Sequence, residues 1–224
     1  MKGHEMSTPN LIVRATDVGY GHIKFTDGRD TESGALRTDS IPSQSPAYKG
    51  TIVAGGGGVM KRRDTFVVPV EGRMYEVGRE VHRALTGKQE TEVLDEKFAL
   101  SDQYAARLFG AINYMMPGLP ADVIDVLVLG LPLNTYPKLH QKLAERFTGT
   151  FKINDSDEEV TIRSCHVYPQ PLGSYMSYVA ANPTPGKAPM ALSVDPGYNT
   201  VDWFVCQGMS ANDSLSDAVQ RGMG

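Results

Sequence analysis

Two stretches decide the fold: Leu11-Ile-Val-Arg-Ala-Thr-Asp17-Val-Gly19-Tyr20-Gly21-His-Ile-Lys24-Phe25, and its near-repeat Ala191-Leu-Ser-Val-Asp195-Pro-Gly197-Tyr198-Asn199-Thr200-Val-Asp202-Trp-Phe-Val205. Each is an apolar run ending in Asp, a short turn containing Gly, and a second apolar run. Each therefore reads as a tight β-hairpin. Asp17-Val-Gly-Tyr20 and Asp195-Pro-Gly-Tyr198 differ only at their second residue. An Asp at a strand tip with Gly close behind presents a carboxylate beside the turn. The Gly lets backbone N–H groups approach an anion with no Cβ in the way. Two such turns, facing each other, are suited to grip a metal-bound phosphate from both sides.

Between the hairpins the pattern alternates between strand and helix. Asp27-Gly28 reads as a second turn feeding a third strand, and from there to about Pro69 the chain is rich in turn signals: Ile41-Pro-Ser-Gln-Ser-Pro46, then Gly55 to Gly58. The Gly run reads as a loop tip, because no Gly-Lys-Ser/Thr follows it at phosphate-loop spacing. Thr65–Val70 and Arg73–Val77 form another hairpin about Glu71-Gly72, and Glu80–Leu85 suits a short helix. Ser101–Met116 is the clearest helix, with Tyr104, Leu108, Ala111, Ile112 and Met115 on one face and Ser101 as N-cap. Val123–Gly130 is a continuous apolar run, expected as one central strand covered on both faces. A helix over about Tyr136–Phe147 and β-rich pieces at Phe151–Asn154 and Val160–Tyr168 follow. After Pro169 a helix is expected with Leu172, Met176 and Val179 inward. Asn182–Pro189 has the composition of a hinge.

The bulk numbers narrow the function classes. A chain of 224 residues with 41% hydrophobic and 21% charged residues can bury a real core and is not disordered by composition. A formal charge of −4 gives no general attraction to nucleic acid or acidic membranes. With only Cys165 and Cys206 there is no disulfide framework, and a reducing, cytoplasmic setting is expected. No apolar run is long enough to span a membrane. The five histidines show no ligand spacing, and Cys165 and His166 fall on opposite faces of a strand.

The doubled Asp-x-Gly-Tyr resembles the two phosphate loops of the superfamily that unites actin, the heat-shock chaperone ATPases and the sugar kinases. Within it the wording is similar to the plasmid-segregation actins of the ParM or StbA family, and most of all to protein D of the PRTRC system. The resemblance runs from residue 11 to about 220. It implies an α/β, RNase-H-like first half over residues 11–185 with a small β-rich subdomain inserted at about 27–100. Residues 186–224 would begin a second half that breaks off early, and residues 1–10 a flexible leader. It also implies Mg-ATP or GTP as ligand, hydrolysis, self-association into filaments, and DNA contact only through an adaptor protein. By the same likeness, Gln170 holds the place of the acid or amide that positions the attacking water. Read as residues alone, Gln170 is equally a loop residue filling a helix N-terminus.

The chemistry follows from the residue types. Asp17 and Asp195 suit Mg²⁺ held largely through its waters, since Mg²⁺ keeps much of its hydration shell. Gly19, Tyr20 and Gly21 on one side, and Gly197, Tyr198, Asn199 and Thr200 on the other, would offer N–H groups and a hydroxyl to phosphates. Lys24, across the first hairpin, can reach back to the β-phosphate as a point charge. Asp202 either orients the second turn or is a surface carboxylate. Taken singly, Asp17 and Asp195 are more often turn residues bonding their own backbone, and Lys24 a strand-edge charge; their joint placement points to nucleotide. Two other readings remain: a nucleotide-binding scaffold that hardly hydrolyses, favoured by Gln170 in place of a carboxylate, and a small-molecule kinase of the same fold.

Overall fold

The structure is a computed structural model, and it describes residues 11–50, 63–85, 97–183, 185–186, 188–197 and 200–220, with the side chains of 200, 213 and 218–220 left undescribed. In chain order its strands and α-helices are β1 (Val13–Val18), β2 (His22–Arg29), β3 (Leu36–Pro42), β4 (Phe66–Val70), β5 (Arg73–Val77) and α1 (Asp102–Met115). Next come β6 (Val123–Ile124), β7 (Val126–Leu131), α2 (Tyr136–Arg146), β8 (Gly149–Lys152), β9 (Glu159–Ile162), β10 (Cys165–Pro169) and α3 (Gln170–Ala181). The chain closes with β11 (Met190–Pro196), β12 (Thr200–Gln207), β13 (Ser210–Ala211) and β14 (Asp217–Gln220). The main sheet has the order β10-β7-β1-β2-β3. Its first three strands are parallel and its hairpin strands antiparallel. This is the mixed α/β layering of an RNase-H-like, actin-like fold.

Both Asp-Gly hairpins form. Asp17 pairs with Lys24 across the first, and Asp195 with Asp202 across the second. The repeat is therefore a repeat of backbone, while the residue facing the acid changes from a cation to an acid. Strand β1 alternates: Arg14, Thr16 and Val18 turn to the core, and Asp17 lies on the opposite face. Helix α1 covers the core face. Its Leu108, Ile112 and Met115 are fully buried with Ile23, Leu127 and Leu129, and burying each such side chain is worth about 1.5–3 kcal/mol. Gly110 allows close helix–strand packing, since a Cβ there would lie 2.4 Å from Val77 Cγ1. Ser101 caps the helix, its Oγ accepting the Tyr104 N–H at 3.1 Å.

Three local expectations are corrected. The run Val123–Gly130 is not one strand covered on both faces. It breaks at Asp125, with β6 in a separate sheet with β9 and β7 in the main one. The Asp125 carboxylate accepts the Ile12 N–H at 2.8 Å and a guanidinium N–H of Arg163, and these bonds hold the jog between the two sheets. Asp27-Gly28 is not a turn but a bulge inside β2, with Gly28 at φ +82°; the reversal comes at residues 30–35, where Asp30 Oδ1 accepts from Ser33. In α3 Leu172 and the half-buried Val179 face inward as expected, but the residue between them that does so is Tyr175, whereas Met176 is 46% exposed. The helix starts at Gln170 itself, one residue after β10 ends, and that sets its rotation. The Gly55–Gly58 run and Lys61-Arg62 lie outside the described residues.

Helix α3 links the two hairpin sheets. Its Leu172 and Tyr175 form a second, small core with Phe204 and Cys206 of β12. The Tyr175 hydroxyl donates to the Pro189 carbonyl at 2.9 Å and accepts the Gly208 N–H at 2.6 Å. Asp202 is neither exposed nor idle: it is 1% exposed and accepts the Leu133 N–H at 3.2 Å, tying the second hairpin to the loop after β7. Cys165 and Cys206 are free and buried, and burial pushes the Cys165 thiol up to about 12, far from a reactive thiolate. No described helix is long and apolar enough to cross a membrane.

Candidate functional site

Both acidic turns open onto one cavity of about 300 Å³. From the first hairpin, Asp17, Gly19, Tyr20, Gly21 and Lys24 line it; from the second, Asp195 and Gly197; and from the start of α3, Gln170. Of the remaining expected residues, Tyr198 and Asn199 lie outside the described residues. Thr200 is seen only as the first residue of β12.

The first turn is braced from behind. The Ser43 hydroxyl donates to the Gly19 carbonyl at 2.5 Å, and the Ser43 N–H donates to the Gly21 carbonyl at 3.0 Å. Ser43 is 4% exposed, so solvent does not compete with these bonds. Gly19 is also needed on its own account, because a Cβ there would sit 3.0 Å from the His22 carbonyl oxygen. Tyr20 packs on Phe98 with ring centroids 5.2 Å apart, and the Arg107 guanidinium lies over the Phe98 ring at 5.0 Å.

Asp17 and Gln170 meet directly: Gln170 Nε2 donates to Asp17 Oδ1 at 2.6 Å. Asp17 lies near the end of β1 and Gln170 opens α3 directly after β10, and both strands pair with β7. Gly130, on β7 between them, makes the meeting possible. A Cβ at Gly130 would be 2.8 Å from Gln170 Cγ and 3.6 Å from Asp17 Oδ1. Burial holds the Asp17 carboxyl above its ordinary range, the Gln170 hydrogen bond and the Lys24 charge pull it back, and the Asp195 charge adds to the rise. Two carboxylates lining one cavity form a donor set whose charge a divalent cation would offset. Among the described residues no cluster of three or more Asp, Glu, His or Cys could hold a metal by itself. The pair therefore suits Mg²⁺ bound mostly through water better than a metal wholly caged by protein.

The cavity also takes in residues that the sequence did not place at the site: Phe98, Ala99 and Tyr104, and the segment Gly130–Pro132 with Thr135. One signal for them was present, a Gly closing an apolar strand, which marks close approach by a neighbour. The aromatic group carried none, because Phe98 and Tyr104 read equally well as core.

The family model for the actin-like proteins' N-terminal domain matches residues 15–173. The chain belongs to that family. Among solved structures, this actin-like chain is similar to AlfA from a Bacillus subtilis plasmid, pLS32, in its filament structure, with TM-score 0.70 and 17% identity over 95% of this chain and 73% of AlfA. The AlfA filament bound to AMPPNP gives TM-score 0.69 and 16% identity over 95% and 71%. A 15-stranded ParM filament from Clostridium botulinum gives 0.65 and 19% over 94% and 64%. An archaeal actin homologue, Ta0583, in complex with ADP gives 0.60 and 19% over 95% and 61%. The chain thus spans between about three-fifths and three-quarters of these proteins' lengths. Comparison with curated proteins found no match.

Proposed function

We propose that this actin-like chain binds ATP or GTP with Mg²⁺ in the cleft between its two Asp-Gly turns, hydrolyses it, and assembles into filaments under control of the nucleotide, as plasmid-segregation actins do. The observation that carries the reading is that Asp17 and Asp195, from hairpins at opposite ends of the chain, line the same cavity together with Gln170.

In this reading Asp17 and Asp195 hold Mg²⁺ mainly through its waters. The ion, when bound, offsets charge on the phosphoryl oxygens. Backbone N–H groups of Gly19, Tyr20 and Gly21, and those of Gly197, Tyr198, Asn199 and Thr200, bind the phosphates, and Lys24 adds a point charge. Gln170 orients the attacking water. An amide is adequate for that work, because the phosphoryl transition state is loose and asks for positioning and charge compensation more than for a strong base. With Nε2 engaged by Asp17, Gln170 Oε1 is the atom that accepts from water.

Filaments and plasmid segregation rest on the AlfA and ParM relatives; DNA contact through an adaptor rests on the family resemblance, with a net charge of −4 that offers nucleic acid no general attraction. A second reading, a nucleotide-binding scaffold with negligible turnover, is favoured by the Gln170 donor being held on Asp17. Phosphate release by the full chain and by Asp195→Ala separates the two. Turnover lost in the variant supports hydrolysis, equal release from both rejects it, and nucleotide retained without turnover selects the scaffold. Light scattering with a non-hydrolysable ATP analogue tests assembly, and no nucleotide-dependent rise would reject filaments.

A further inference from the structure

Strand β2 opens on His22, directly after the Gly19–Gly21 turn. Ile23 and Phe25 are buried at 0% and 3% exposure, so by the two-residue period of a strand His22 and Lys24 share the opposite face. The bulge in β2 comes later, between Thr26 and Arg29, and leaves this alternation intact. Register shows which face it is. Lys24 pairs directly with Asp17, and the Asp17 carboxylate, bonded by Gln170, lines the cavity. His22 is exposed and lines the same cavity, so its ring is open to anything bound there.

The surroundings of His22 narrow its chemistry. The Gly19 and Gly21 carbonyls are held from behind by Ser43, the two glycines carry no side chains, and Tyr20 packs on Phe98. An anion seated on the turn therefore meets backbone N–H groups first, then the His22 ring, then Lys24. Imidazole keeps at least one N–H in either protonation state, so it can donate to a phosphate oxygen whether charged or neutral. There is also a need for such a donor. Among the described lining residues two acids, Asp17 and Asp195, stand against the single cation of Lys24, so a polyphosphate requires donors besides the metal to lie beside them.

We propose that the His22 imidazole is a ligand contact, donating an N–H to a non-bridging oxygen of the diphosphate portion common to nucleoside di- and triphosphates. Its neighbour on the same face, Lys24, serves the β-phosphate. The inference rests on the nucleotide reading of the cleft and adds to it a side-chain phosphate donor that no motif assigns.

His22→Ala removes the ring, and His22→Phe keeps a ring without an N–H. Binding of Mg²⁺ with ADP, and of Mg²⁺ with a non-hydrolysable ATP analogue, is measured calorimetrically on the full chain and on both variants. Ligand-free melting and the phosphorus NMR spectrum of bound ADP are recorded alongside. The expected result is about a tenfold loss of affinity for both nucleotides in both variants, with the phosphorus resonances of bound ADP shifted. The ligand-free melting temperature should stay within about 2 °C of wild type, as for an exposed side chain. Unchanged affinity in His22→Ala overturns the inference and leaves the nucleotide reading standing. Wild-type affinity in His22→Phe alone marks a packing contact, and a loss confined to the analogue marks the terminal phosphate; either overturns it. Weaker binding with an unchanged phosphorus spectrum places the contact on the base or sugar, and a clearly lower melting temperature traces the loss to the turn itself, with the same consequence. If wild type binds neither nucleotide, the reading of the cleft fails and the inference with it.

Discussion

Gly130 is where the proposed chemistry is most exposed to a single methyl group. In Gly130→Ala the new Cβ would lie 2.8 Å from Gln170 Cγ, against an ordinary carbon–carbon contact of about 3.5–4.0 Å. Gln170 must therefore retreat by roughly 1 Å. Its Cα, 3.8 Å from the same point, need not move, so the retreat is a side-chain rotation that breaks the 2.6 Å bond to Asp17. A misplacement of that size in a positioning group costs on the order of 10²-fold in turnover, or about 2.7 kcal/mol of barrier. Crowding of this kind costs roughly 1–3 kcal/mol of stability, a few degrees of melting temperature in a chain of this length. The assay is phosphate release at saturating nucleotide, with affinity for a non-hydrolysable analogue measured in parallel and expected within about threefold of wild type, well under one factor of ten. Gly173→Ala is the control. It lies in the same helix as Gln170 with nothing within 4 Å of the added Cβ, so it should keep full turnover and gain up to about 1 kcal/mol of stability. Turnover by Gly130→Ala within twofold of wild type would show that Gln170 does not position the water.

Other expected outcomes follow from burial and packing. Because burial raises the Asp17 carboxyl, the folded state holds its proton more tightly than the unfolded chain. The stability tied to that proton is fully present below the ordinary value near 3.8 and is lost as pH rises through the folded value. Asp17→Asn should thus melt higher than wild type at pH 7, with the gain vanishing towards pH 3.8, and should lose Mg-dependent nucleotide binding; a melting gain independent of pH would refute the burial argument. Gly110→Ala should destabilise, because a Cβ 2.4 Å from Val77 Cγ1 outweighs the roughly 1 kcal/mol that Ala gains in a helix interior, and urea unfolding measures it. Adding Val77→Ala to Gly110→Ala should recover part of the loss, and strictly additive losses would exclude direct contact.

Much of this molecule was legible from local chemistry. The hairpins at Asp17 and Asp195, the Ser101-capped helix and the Glu71-Gly72 turn each depend on residues within a few positions of one another. Alternation and turn preference describe them well. Opposite faces for Cys165 and His166 follow from the two-residue period of a strand, and in β10 the first is buried and the second exposed. The errors arose where a distant residue overruled a local pattern. Asp125 splits an apolar run because Ile12 and Arg163, far away along the chain, bind its carboxylate. Met176 faces outward because the rotation of α3 is set where β10 ends.

The same distinction divides the candidate site. The paired acids, the glycines beside them and Lys24 carry a pattern that repeats along the chain, so the likeness to actin-like proteins could be seen from one-dimensional spacing. That Asp17 and Asp195 share a cavity, that Gln170 binds Asp17, that Ser43 braces the Gly19–Gly21 turn, and that Tyr104 lines the cleft with an unpartnered hydroxyl are matters of three-dimensional neighbourhood. β1, β7 and β10 lie side by side in the sheet although more than a hundred residues separate the first from the others, and the approach of Gln170 to Asp17 is possible only because Gly130, on the strand between them, has no side chain. Local sequence determined which groups could hold a nucleotide; the parallel pairing of those distant strands decided which of them meet.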